Sequence, residues 1–296
     1  MSEPTALIGT DWGTSNLRVM RIAEGGRVIE SRSDPRGAGG LAPGDFLAVL
    51  RDVAGEWLES GVPVLCSGMA GARGRWCEMP YLPCPTGIAN LAGALASPGD
   101  APFVSLVPGV AMMDGGALRD VVRGEETQIF GLDTLEDALI IAPGTHSKWI
   151  QANNGRITRF RTFMTGELFA AIRNGTILGA DMGQPGVDDD AFAAGVARSL
   201  TDPALTSALF SVRVEGLAGR LSGASAADYL SGILIGAEVA AQGAGGDRPV
   251  ILVGAENLGR RYAAALAMAG FTDVRVQDAA GAAARGLWRI HEVSSR

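Results

Sequence analysis

Asp11-Trp12-Gly13-Thr14-Ser15-Asn16 is a short glycine-containing turn set between two apolar segments. A glycine lets the backbone approach a phosphate closely, and exposed N–H groups with hydroxyls can hold its oxygens. Residues 5–10 before the turn read as an apolar strand. Residues 16–22 after it alternate, with Leu17, Val19 and Arg21 on one face and Arg18, Met20 and Ile22 on the other. Glu24-Gly25-Gly26-Arg27 then marks a hairpin, and residues 28–31 form a third strand. The chain therefore opens as an antiparallel meander carrying the turn between its first two strands. Taken alone, the turn reads equally well as an ordinary β-turn with an Asx bond.

The pattern restarts at Ala138. Residues 138–142 are an apolar strand, Pro143-Gly144-Thr145-His146-Ser147 a tight turn, and Lys148–Gln151 a strand. Asn153-Asn154-Gly155 is a hairpin signal, and Arg156–Phe160 continues the sheet. The second turn offers N–H groups, two hydroxyls and the Lys148 ammonium, a set suited to β- and γ-phosphates. His146 and Lys148 have a plainer reading as polar turn and strand residues. Two such turns in a repeated unit argue for an α/β protein of two lobes closing on a nucleotide. Between them, helical spacing over 45–60, with Asp45 as its cap and Gly61 as its end, is followed by strands at 62–65, 103–107 and 118–122. Beyond the second turn, helices are expected at 166–178, 188–200, 203–219, 225–242, 256–269 and 279–292, with strands at 249–253 and 274–277. The expected lobes are 1–133 and 134–278, with 279–296 a closing helix returning to the first.

Two further features bear on chemistry. Gly254, after the buried run Val250–Val253 and before Asn257 on the next helix, would allow an adenosine to approach the strand end. A plain β-turn-α connection explains it as well. Arg123-Gly124-Glu125-Glu126-Thr127 places two acids at a helix start. Phosphoryl transfer to an alcohol needs a carboxylate to orient the hydroxyl and accept its proton, and Glu125 is favoured over Glu126 for that role. Acids there also serve as helix-dipole partners. Asp11 is the carboxylate suited to Mg²⁺, through water.

Composition excludes several classes. The 296 residues are 47% hydrophobic and 19% charged with a net charge of −7, so a folded protein is expected. No basic run invites nucleic acid or an anionic membrane. No signal-peptide pattern and no run of ~18 uncharged apolar residues is present, so a cytoplasmic protein without a membrane span is expected. Cys66, Cys77 and Cys84 are odd in number and, with two histidines, make neither a disulfide framework nor a dedicated zinc site.

The order of phosphate turn, acid-bearing helix, second turn, adenosine glycine and closing helix resembles the actin, hexokinase and Hsp70-like superfamily. Gly9–Arg18, Ser67–Gly71, Trp76–Pro85, Arg123–Gln128, Pro143–Trp149 and Thr162–Phe169 are more closely similar to the 2-keto-3-deoxygalactonate kinase family, over nearly the whole chain. Ser15 stands where the family commonly has Thr, and Gly74-Arg75 before Trp76 alters a substrate-side loop. The resemblance implies two actin-like (ribonuclease H-like) lobes, each with a mixed sheet opened by an antiparallel meander. It implies ATP- and Mg²⁺-dependent phosphorylation of the terminal hydroxyl of 2-dehydro-3-deoxy-D-galactonate, in galactonate and galactose breakdown. Asp11, Glu125 and Glu126 would be catalytic. Gly13, Thr14, Ser15, Asn16, Gly144, Thr145, His146, Ser147, Lys148, Gly254 and Asn257 would hold the nucleotide. Arg18, Ser67, Gly68, Met69, Thr165 and Gly166 would hold the small anionic acid, with Arg73 a weaker candidate, since arginine suits bidentate carboxylate binding.

Three other readings compete: a kinase of a neutral or amino sugar, a phosphatase acting on polyphosphate or a guanosine alarmone, and a non-catalytic nucleotide-binding or filament protein. The sequence leaves open the stereochemistry of the acid and the oligomeric state, a homodimer included.

Overall fold

The computed structural model describes residues 3–180, 182–183, 188–202, 204–243 and 245–296. In chain order, β1 (Leu7–Trp12), β2 (Leu17–Ile22) and β3 (Val28–Asp34) are followed by α1 (Phe46–Ala54) and β4 (Val64–Gly68). Then come β5 (Tyr81–Pro83), β6 (Thr86–Gly87), α2 (Ile88–Ala92), β7 (Val104–Leu106), β8 (Gly109–Asp114), β9 (Ala117–Val122) and α3 (Glu125–Phe130). The second half holds β10 (Ala138–Ala142), β11 (Ser147–Asn153), β12 (Arg156–Phe163), α4 (Thr165–Gly175), α5 (Asp189–Thr201), α6 (Leu205–Leu217) and α7 (Gly223–Ala240). It ends with β13 (Val250–Val253), α8 (Glu256–Met268), β14 (Val274–Gln277) and α9 (Ala279–Ser294). Residue 203, where the third of the expected helices starts, lies outside the described residues.

Two compact units divide the chain: Met1–Ala138 with Ile150–Arg161 and Gln277–Arg296, and Leu139–Trp149 with Thr162–Val276. The first contains a mixed sheet in the order β3-β2-β1-β4-β7. β1 runs antiparallel to β2 and parallel to β4, which aligns Asp11 with both Arg18 and Ser67. One face of this sheet buries Ile8, Trp12, Leu17 and Val19 against Phe46, Leu50 and Trp76. Met20 and Ile22 point to the other face and are buried too, because α9 packs there: a Cβ on Gly9 would stand 2.8 Å from Leu287. The alternation in β2 thus reflects two covered faces rather than one.

The helix expected over 45–60 is two elements. Gly55, at φ 54°, ends α1, and a 3-10 turn runs from Gly55 to Ser60. Asp45 stands at the α1 N-cap position without capping it; its carboxylate accepts from the Ala42 N–H at 3.1 Å. A second, three-stranded sheet, β5-β8-β9, was not legible in the sequence. Its β5–β8 pairing is parallel and distant in sequence, and β5 is only three residues long.

α3 and α9 approach backbone to backbone. A Cβ on Gly286 would lie 1.8 Å from the Thr127 carbonyl oxygen, and one on Gly131 would lie 1.8 Å from that of Ala282. Arg285 and Arg289 then donate to the carbonyls of Gly131, Phe130 and Leu132, satisfying the open C-terminal end of α3. Gly286→Ala is expected to cost about 1–3 kcal/mol or more by overpacking. It should lower kcat as well, since α3 carries Glu125 and Glu126. Thermal denaturation and steady-state kinetics on the same variant check both outcomes.

In the second unit, β13 pairs in parallel with β10, and the strand order is β14-β13-β10-β11. Leu139, Ile141, Trp149, Leu252, Val239, Tyr262 and Leu266 form its core beside the sheet. A helical layer of α4 to α7 encloses a further apolar cluster around Tyr229, Leu230 and Ile233. No helix among the described residues is long and apolar enough to cross a membrane.

Candidate functional site

The first turn is open to solvent at Thr14, Ser15 and Asn16, with Gly13 partly covered. It is held from behind by a segment the sequence reading passed over. Ala38 N–H donates to the Gly13 carbonyl at 2.9 Å, and Gly39 N–H to that of Thr14 at 2.8 Å. Trp12 anchors the same contact from within the core, its indole N–H donating to the Arg36 carbonyl at 3.1 Å. The small-residue run Gly37-Ala38-Gly39-Gly40 looks like a plain loop in sequence. Its role shows only where it meets the turn: a Cβ on Gly37 would fall 2.3 Å from the Ser15 backbone.

Asp11 ends β1 beside this turn. Burial of its carboxyl raises its pKa; the Arg18 cation across the strand pair opposes this, and the Glu125 carboxylate adds to it. Arg18 is therefore placed against Asp11, where its charge acts on a carboxylate of the protein itself. Two glycines bring α3 to this point. Gly68 (φ 92°) and Gly124 (φ 107°) adopt backbone conformations that side chains rarely take, and a Cβ on Gly124 would be 3.3 Å from the Gly68 Cα. Ser67 is buried with its hydroxyl donating to the Thr10 carbonyl at 3.2 Å, so that hydroxyl is spent within the sheet. Met69 is partly covered, and Arg73 is exposed on the following loop.

The two adjacent acids differ sharply. Glu126 is fully buried; its carboxylate accepts from the Gly124 N–H at 2.7 Å and from the Thr127 hydroxyl at 3.1 Å. Burial, and then the neighbouring Glu125 charge, push its carboxyl up to about 7 against those hydrogen bonds. Glu125 is partly exposed, accepts from the Arg123 N–H at 3.1 Å, and lies near enough to Asp11 for their charges to interact.

The raised Glu126 pKa has a stability consequence. The folded protein keeps a proton that the unfolded chain releases above its ordinary 4.5. Stability should therefore fall as pH rises from about 4.5 to about 7 and level off above that. Glu126→Gln retains an acceptor for Gly124 and a donor for the Thr127 oxygen. It is expected to remove this fall and to be more stable than the parent above pH 7 by up to roughly 3 kcal/mol. Urea midpoints at acid and alkaline pH would show the difference.

In the second unit, Thr145 and His146 are exposed at the turn and Gly144 is partly covered. His146 Nε2 meets the Glu167 carboxylate at 2.5 Å, and Glu167 N–H donates to the Thr145 carbonyl at 3.0 Å. Gly166 lies against the turn, since a Cβ there would be 2.7 Å from the Gly144 oxygen. Ser147 departs from expectation. Its hydroxyl is buried and lies 2.7 Å from the Tyr262 hydroxyl, so that hydroxyl is engaged in the interior. Lys148 is also buried, with its ammonium donating to the His146 carbonyl at 3.3 Å. Glu238 completes an interior network, accepting from Tyr262 at 2.8 Å and from the Trp149 indole at 2.7 Å.

Beside this turn lies a cavity of about 250 Å³, bounded by Gly144, Thr165, Gly166 and Phe169 on one side and by Leu258, Arg261 and Tyr262 of α8 on the other. The α8 residues are spaced three and four apart, so they share one helix face. Asn257 is off that face, exposed and accepting from Arg260, and Gly254 rests near Pro143 instead of lining the cavity. Gly254 and Asn257, expected on the adenosine side, therefore do not line this cavity. Arg261 is held by an ion pair with buried Asp228, which also accepts from the Asp188 N–H. Sequence periodicity around 258–262 could have suggested this face; Asp228 and Phe169 carry no local signal.

Known proteins resemble this chain in sequence and in fold. The 2-dehydro-3-deoxygalactonokinase of Escherichia coli (strain K12) is 38% identical over 234 residues, which cover 79% of this chain and 79% of that protein. A crystal structure from Sinorhizobium meliloti, described as a candidate 2-dehydro-3-deoxygalactonokinase, has a TM-score of 0.87 at 36% identity, covering 97% of this chain and 98% of that one. Component A of the (R)-2-hydroxyglutaryl-CoA dehydratase of Acidaminococcus fermentans is 12% identical, with a TM-score of 0.52 over 98% of this chain and 99% of that one, and shares the fold alone. The similarity to these kinase relatives, over most of the chain, makes the protein an ATP-dependent sugar-acid kinase by class. The family model described as 2-keto-3-deoxy-galactonokinase matches residues 11–290. The chain belongs to that family.

Proposed function

We propose that this protein transfers the γ-phosphoryl group of ATP to the terminal hydroxyl of 2-dehydro-3-deoxy-D-galactonate. The observation that carries the reading is the convergence of Asp11 and Glu125 from β1 and α3, in a chain of this family. The second unit supplies the nucleotide side. Its cavity takes the adenosine, with Phe169 and Leu258 as apolar walls, and the Gly144–His146 turn meets the phosphates. Thr14, Ser15 and Asn16 present hydroxyl and amide groups for the transferring phosphate.

Glu125 accepts the proton of the terminal hydroxyl as its oxygen bonds to the γ-phosphorus and ADP departs. Glu126, buried with both oxygens engaged, holds the Gly124 turn in place. The donor chemistry fits Mg²⁺. The Glu125 carboxylate adds to the cost of ionising Asp11, which a cation would relieve. Among the described residues no group of three or more His, Cys, Asp or Glu could hold a metal ion. When bound, the ion would neutralise charge on the phosphates, and Asp11 would hold it, through water. The same reading places the enzyme in the cytoplasm, with ATP and its sugar acid.

An ATP-coupled assay on a panel of keto-deoxy sugar acids tests the proposal. Turnover is expected on the galactonate-derived acid. Preference for the gluconate-derived epimer would redirect the substrate, phosphate release without an acceptor would indicate a hydrolase, and no turnover on any of these acids would remove the reading.

A further inference from the structure

Arg123, at the end of β9, is 8% exposed. Its guanidinium stacks on the Tyr81 ring, 4.2 Å from the centroid. Nη2 donates to the Met79 carbonyl at 2.9 Å, and Nε lies 3.4 Å from the Tyr81 hydroxyl. Nη1 is buried with no hydrogen-bond partner among the described residues. The donors that are used thus meet a carbonyl, a phenol and a ring face, and none of these carries a negative charge. An arginine does not neutralise by losing its proton, so a buried guanidinium without a counter-charge is costly. A cation in this position is explained by an anion that arrives with a ligand.

The surroundings of Nη1 belong to the acid-bearing side of the first unit. Gly71, on the loop after β4, is the residue that leaves room for Nη1, since a Cβ there would come within 2.9 Å of it. Gly124 and Glu125 follow directly in the chain, and the Arg123 N–H is bonded to the Glu125 carboxylate. The two arginines expected to read the substrate's acid group are placed otherwise: Arg18 faces Asp11, and Arg73 is exposed.

We infer that Arg123 Nη1 binds the carboxylate of the keto-deoxy sugar acid and so presents the opposite, hydroxyl end of the substrate to Glu125. This assignment rests on the kinase reading above. Nη1 is enclosed by the loop of residues 71–79, so the assignment includes an opening of that loop when the acid enters. Charge discrimination then comes from one donor, in a protein whose net charge of −7 would otherwise repel the substrate.

The test compares kcat/KM for the keto-deoxy acid and for its neutral C1 amide, which keeps the same terminal hydroxyl. The parent enzyme should prefer the acid. Arg123→Met should reduce that preference by about 10–100-fold, the range for a hydrogen bond to a charged group, with the KM for ATP unchanged. Arg123→Lys should restore part of it. Gly71→Ala keeps the arginine but crowds Nη1, and should lower the same ratio, which covers the case in which Arg123→Met fails to fold. An acid-to-amide ratio equal to the parent's in the folded variants overturns the assignment while leaving the kinase reading intact. Failure of the parent to phosphorylate the acid overturns both.

Discussion

Glu125→Gln is expected to lower kcat by about 10²–10⁴-fold, the usual contribution of a positioned general base. The substitution keeps the shape of the side chain and an acceptor for the Arg123 N–H. What it removes is the ability to take a proton and the negative charge beside Asp11. Substrate KM should change little, because the proton moves only as the transition state forms. Glu126→Gln is the matched control. Its position is sealed, and Gln can hold both the Gly124 and Thr127 contacts, so turnover should stay within about tenfold of the parent. Steady-state kinetics on the purified variants decide between the two acids. A large loss at Glu126 with little at Glu125 would reverse the assignment and make the carboxyl with the pKa near 7 the base.

Trp12→Ala is expected to destabilise the protein by about 3–5 kcal/mol, the usual range for removing a large buried aromatic. Trp12 is fully buried, with ring centroids 4.9 Å from Phe46 and 5.9 Å from Trp76. Its indole N–H also holds the Arg36 carbonyl, next to the segment that fixes the first turn. The loss therefore joins a cavity to a broken tether. Urea denaturation should show a lower midpoint with a similar slope. Trp12→Phe, which fills most of the volume without the N–H, should recover most of the stability. Any remaining fall in its kcat would report on the tether to the turn.

Much of this was written locally in the chain. Strand-turn-strand units are recognisable because apolar runs, glycines and hairpin signals act over a few residues. The same local rules delivered the helix starts, and they failed where a distant partner was needed. β5 and β8 are strands because they pair in parallel across intervening chain, which no local pattern encodes. Gly55 divided a helix that apolar spacing alone would have continued to Ser60.

The site divides along the same line. Asp11, the Thr14–Asn16 turn, the Gly144–His146 turn and the acid pair at 125–126 were all visible as residue types in sequence. Their burial and hydrogen-bond partners were not. Adjacent Glu125 and Glu126 look alike until Gly68, brought against Gly124 from another strand, fixes which one is sealed. Ser147 looked like a phosphate ligand until Tyr262 and Glu238 gathered its hydroxyl into the core. Arg123 carried no signal beyond its position, because an unmatched buried charge exists only after Gly71, Met79 and Tyr81 have closed around it.

The amino-acid sequence by itself determined that this is a two-repeat α/β chain with paired glycine turns, since backbone preference and apolar periodicity are properties of neighbouring residues. Only the tertiary structure decided which carboxylate stays accessible, which hydroxyl is spent inside and which cation is left waiting for an anion. Those outcomes depend on desolvation and hydrogen-bond partners, and both are supplied by atoms far away in sequence.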